Sequence, residues 1–103
     1  METFEIIWKN SEIGKLENPM VDMGYWEGKW ISNESPDARV FKDKVSKFDS
    51  KAVIQDPLKG TWVILKSKES STYALVISLD KENLFLRTVL EKEAIEWLVK
   101  NVS

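Results

Sequence analysis

Glycine and tryptophan alternate along residues 22–32, DMGYWEGKWIS, as Gly24, Trp26, Gly28 and Trp30. In an extended chain residues two apart share a face, so the indoles of Trp26 and Trp30 stand together, about 13 Å apart. Two rings at that spacing suit an extended ligand that stacks on aromatic faces, such as a glycan or a peptide. The same residues can build a core. Each glycine leaves a gap in the pleat over which an aromatic ring or a helix can close. Two exposed indoles would approach the few-hundred-Å² apolar patch that soluble monomers rarely show, which favours the core. Trp26 and Trp30 are therefore read as facing inward. Met23, Tyr25, Glu27, Lys29 and Ile31 then lie on the opposite face, a mixture of aromatic, methionine and charge typical of interaction surfaces. Cover by a loop or by the last helix is the other reading of that face.

Other chemistry is scarce. The chain has no histidine and no cysteine. That removes the imidazole base, the Ser–His and Cys–His nucleophile systems, thiolate metal sites and disulfides. Glu27 lies between two tryptophans in sequence, but period two sets it on the face away from both, beside Tyr25 and Lys29, as a solvated cross-strand residue. Ser78 and Lys81 in SLDK match the S-x-x-K spelling of some acyl-transferring enzymes, yet they fall at a strand end and in a turn rather than on one helix face. The glycines at 14, 24, 28 and 60 fit no phosphate-binding loop. No catalytic residue, metal site or cofactor is expected. Lys42, Lys44, Lys47 and Lys51 are broken by Asp43 and Asp49 and read as a solvated face.

These residues need elements to position them. Phe4, Ile6 and Trp8 on one face alternate with Glu5, Ile7 and Lys9 on the other over Thr3–Lys9, a strand. Glu12–Glu17 reads as its hairpin partner, broken by Pro19. Residues 21–32 form a third strand. Ser35 as cap, Pro36 at the first helical position and Asp37 in the first turn start a helix of about 36–49, with Ala38, Phe41, Val45 and Phe48 as its apolar stripe. A short strand is read at Ala52–Gln55. Thr61–Lys66, Thr72–Leu79 and Leu84–Val89 are strands, the first two apolar on both faces and so expected to be covered on both sides. Thr88 and Glu91 spell a capping box for a helix of about 90–101, with Leu90, Ala94, Trp97 or Leu98, and Val102 as the buried stripe. Two blocks of strands plus helix raise the idea of a duplication, without a residue-level repeat to support it.

The expected fold is α+β: a mainly antiparallel sheet of six to seven strands with two amphipathic helices packed on it. Its 103 residues fit a single domain over 1–103. Five tryptophans, each worth roughly 4–6 kcal/mol when buried, supply much of the core. A formal net charge of −2 and only two arginines, Arg39 and Arg87, argue against nucleic acid. Glu2, Glu5 and the short apolar runs argue against a signal peptide or a membrane partner and for the cytoplasm.

The expected function is non-enzymatic protein binding, of an adaptor or neutralising-partner type. Its surface is Met23, Tyr25, Glu27, Lys29 and Ile31, and its partner has no identity in the sequence. The alternative is a small-ligand or glycan-binding domain using Trp26, Trp30 and Trp62. An enzyme built on carboxylates alone ranks third. Homo-oligomerisation stays open.

Overall fold

The computed structural model describes residues 2–103. Period-two alternation makes strands of Thr3–Trp8 (β1), Ser11–Asp22 (β2) and Tyr25–Ser32 (β3). Thr61–Lys66 (β4), Ser71–Asp80 (β5) and Asn83–Val89 (β6) follow. All pairings are antiparallel, and the order β1-β2-β3-β6-β5-β4 closes on itself as a barrel. The α+β reading with an antiparallel sheet stands, with six strands; closure is the new element. The two blocks seen in the sequence are two three-stranded meanders, β1–β3 and β4–β6, joined where β3 meets β6 and β1 meets β4.

The barrel is filled by one side of each strand. Phe4, Ile6, Trp8, Leu16, Trp30, Val63, Leu65, Ala74, Val76, Leu84 and Leu86 are all buried there. Pro36–Val45 (α1) adds Ala38, Phe41 and Val45 to this same core. Phe41 meets Trp8 and Trp30 edge-on, each at a centroid distance of 5.3 Å. Such pairs contribute about 0.5–1.5 kcal/mol each beyond area burial. Ser35 caps α1 as expected, its hydroxyl accepting from the Ala38 N–H at 3.1 Å.

A second, smaller core lies outside the barrel. Leu75 and Ile77 of β5 point outward and are covered by Val53 of Ser50–Gln55 (α2) and by Leu98 and Val102 of the last helix segment. This is why β5 is apolar on both faces. Trp62 joins this layer, its indole N–H donating to the Val102 carbonyl at 2.9 Å.

Four local expectations are corrected. The helix read as 36–49 ends at Val45, because Asp49 caps a separate helix, its carboxylate accepting from the Lys51 N–H at 3.2 Å. Ala52–Gln55, read as a strand, belongs to that helix, α2. Strand β2 runs through Pro19, which falls in a bulge between Glu17 and Met20 where no ladder bond is asked of it. The last helix spans Lys92–Asn101 (α3) with Glu91 as an N-cap lacking a side-chain bond, so Thr88 and Glu91 form no capping box. Its buried side is Ile95, Leu98 and Val102, while Leu90, Ala94 and Trp97 face solvent.

Candidate functional site

Residues 22–32 are not one strand. Met23 and Gly24, with φ of 53° and 85°, form a two-residue hairpin turn between Asp22 and Tyr25. Positive φ at both positions matches the right-handed twist of the flanking strands. Glycine takes such an angle freely; methionine does not. Met23 is the one apolar side chain among the described non-glycine residues with positive φ, and it is 92% exposed.

From Tyr25 onward the face assignment holds. Gly28 and Trp30 are buried, Trp26 is half-buried, and Tyr25, Glu27, Lys29 and Ile31 are exposed on the other side. Gly28 makes room for Leu16, not for a ring or helix: a Cβ there would meet Leu16 Cδ1 at 3.0 Å. Strand β3 is paired on both sides from Tyr25 to Lys29, so Tyr25, Glu27 and Lys29 each have two neighbours across the sheet, while Ile31 has one, Lys15. Tyr25 sits between Asp22 and Arg87, Glu27 between Met20 and Phe85, and Lys29 between Glu17 and Asn83. The Arg87 guanidinium lies 5.4 Å from the Tyr25 ring centre, a cation–π arrangement. Lys29 pairs with Glu82 at 3.5 Å.

The surface thus grades along β3. At the hairpin end it is apolar: Met20 and Met23 are exposed, and a cavity of about 250 Å³ opens between Tyr25, Ile54, Ile77 and Phe85. At the other end a groove of about 530 Å³ runs between Lys29–Ser32 and α1, with Arg39, Lys42 and Lys81 interleaved with Glu34, Asp43 and Glu82. Met20, Arg87 and Ile54 belong to this face and were not found from sequence. Only the register across the sheet and the placement of α2 bring them there.

The tryptophans of the ligand reading are otherwise engaged. Trp30 is 5% exposed and its N–H donates to the Ile13 carbonyl at 3.2 Å. Trp26 meets Phe4 edge-on at 5.1 Å, and Trp62 is tied to Val102. Ser78 and Lys81 border different cavities. Among the described residues no three Asp or Glu side chains gather into a metal-binding group, and no buried side-chain polar atom lacks a hydrogen-bond partner. No helix of the described chain is long and apolar enough to cross a membrane.

Comparison with known proteins returns no matching family model, no matching curated protein and no matching solved structure.

Proposed function

We propose that this barrel is a non-enzymatic binding domain that engages another protein through the outer face of β3, with Met23, Tyr25, Glu27, Lys29 and Ile31 as its contact residues. The observation that carries the reading is Met23: a flexible apolar side chain, almost wholly in solvent, held at a backbone angle that disfavours it. Departures from local preference persist where another requirement outweighs them, and a contact is such a requirement. Its neighbours fit. Tyr25 and Arg87 are of the residue types that dominate interface energetics, and their stacking holds both side chains ready, which lowers the ordering cost of association. Because β3 is paired on both sides from Tyr25 to Lys29, a partner meets side chains there rather than a free strand edge. The mixed charges at the Lys29 end set orientation more than affinity.

The small-ligand reading is weaker, since Trp30 and Trp62 spend their N–H groups inside the protein. The cavity beside Trp26, about 250 Å³, falls below the usual ligand-site range of about 300–1,000 Å³.

The test is affinity capture from lysate of the native host with the wild-type chain, the double variant Tyr25→Asp/Ile31→Asp, and a control, Lys68→Glu, in the β4–β5 loop. One protein recovered in stoichiometric amount by wild type and control, and lost with the folded double variant, supports the proposal. No recovered protein, or recovery indifferent to the double variant, rejects it.

A further inference from the structure

The groove between β3 and α1 holds more cationic charge than it neutralises. It is about 530 Å³ and opens past the β5–β6 turn into a second hollow, and Lys29, Lys42 and Lys81 border both. The bases come from three elements: Lys29 from β3, Arg39 and Lys42 from α1, and Lys81 from the two-residue β5–β6 turn. Arg39 and Lys42, three apart, are neighbours on the surface of α1. The Trp30 N–H donates to the Glu82 carbonyl at 2.8 Å, which holds the β5–β6 turn against β3. Of the three carboxylates in the groove, Glu82 is paired with Lys29 at 3.5 Å and Asp43 with Lys47, outside the groove, at 3.4 Å. Among the described residues Arg39, Lys42 and Lys81 make no ion pair, and Glu34 alone is left to offset them. Neutral donors stand beside them. The Ser32 hydroxyl accepts from the Glu34 N–H at 3.0 Å and keeps its own proton to give, and Asn83 adds a side-chain amide.

We propose that this groove binds a small molecule carrying a diphosphate group. A single phosphate monoester bears about −1.5 to −2 charges, so three cations without a carboxylate match more than one phosphate. The Arg39 guanidinium can take two phosphate oxygens at once, and the lysines act as point charges beside it. The volume lies inside the range of about 300–1,000 Å³ usual for small-molecule sites. A recess of that size, walled by a helix and a strand, fits a compact ligand better than an extended acidic segment of another protein. The groove borders the β3 contact face at Lys29 and Ile31, but its unpaired cations lie on α1 and the β5–β6 turn, so the two sites can be altered separately.

Isothermal titration calorimetry at physiological ionic strength tests this with pyrophosphate as the probe and orthophosphate for comparison, folding of every variant being checked by circular dichroism. Pyrophosphate should saturate a single site per chain, about tenfold or more tighter than orthophosphate. Lys42→Glu/Lys81→Glu should weaken it about tenfold or more, and Lys42→Arg/Lys81→Arg should retain it. Lys66→Glu/Lys68→Glu makes the same change in net charge outside the groove and should leave the affinity within about twofold, since distant exposed charges are screened. Tyr25→Asp should bind pyrophosphate as wild type does, whatever it does to protein capture. Pyrophosphate that fails to saturate in the millimolar range overturns the proposal. So does orthophosphate binding as tightly, or equal weakening by the Lys66/Lys68 pair. An aspartate-rich peptide that displaces pyrophosphate at lower concentration than orthophosphate does would give the groove to an acidic protein, and that too overturns it.

Discussion

Thr88 binds the Gly24 carbonyl twice, through its backbone N–H at 2.9 Å and its hydroxyl at 3.2 Å. This clamps the β2–β3 turn onto the end of β6, next to the Arg87–Tyr25 stack. Thr88→Val removes the hydroxyl bond and keeps the backbone one, so the Gly24 carbonyl stays satisfied. The expected loss is about 0.5–1 kcal/mol in urea unfolding, together with faster amide exchange within the β2–β3 turn.

Met23 should trade stability for contact. Asparagine tolerates positive φ far better than methionine. Met23→Asn is expected to stabilise the chain by about 0.5–1 kcal/mol while reducing partner capture. Thermal unfolding and capture, run on the same sample, read the two effects. A variant that is less stable and captures normally would contradict this account of the turn.

Trp8 and Thr61 join the neighbouring strands β1 and β4 where the barrel closes, the indole N–H donating to the Thr61 hydroxyl at 2.9 Å with Thr61 fully buried. Thr61→Val leaves that N–H without a partner, at about 1–3 kcal/mol. In a double-mutant cycle with Trp8→Phe, the two losses should fall short of additive by about 1 kcal/mol, measured by denaturant unfolding.

Gly14 and Gly28 should respond differently to alanine. Gly14 has φ of 133°, and a Cβ there would collide with the Ile31 carbonyl oxygen and come within 2.9 Å of Trp30 Nε1. Gly14→Ala is expected to cost roughly 3 kcal/mol or more. At Gly28 a Cβ would meet Leu16 Cδ1 at 3.0 Å, a side-chain end that can shift, and the Glu17 carbonyl oxygen at 3.1 Å, tight but short of a collision, so a smaller loss of about 1–3 kcal/mol is expected. Equal losses at the two sites would contradict the packing described.

What was legible in the sequence was local and periodic. Phe4, Ile6 and Trp8 announced β1 by alternation, Ser35 with Pro36 marked the start of α1, and the both-faces-apolar run in β5 signalled cover on two sides. The outward setting of Tyr25, Glu27, Lys29 and Ile31 followed from period two. What was not legible depended on distant partners. A run as short as Ala52–Gln55 fits helix and strand alike, and Asp49 as a cap decides it. Barrel closure rests on Ile6 pairing with Leu65, which no local pattern encodes. In α3 two apolar stripes lie side by side, Leu90/Ala94/Trp97 and Ile95/Leu98/Val102, and periodicity alone cannot say which one meets the barrel. Arg87 reached the candidate surface through its register with Tyr25.

The most direct test of the contact face is site-specific photo-crosslinking in the native host. A benzoylphenylalanine is placed in turn at Tyr25, at Glu27 and, as control, at Lys68. The account predicts that positions 25 and 27 trap the same single protein and that position 68 does not. Adducts absent from both β3 positions, or equally abundant at Lys68, would contradict it.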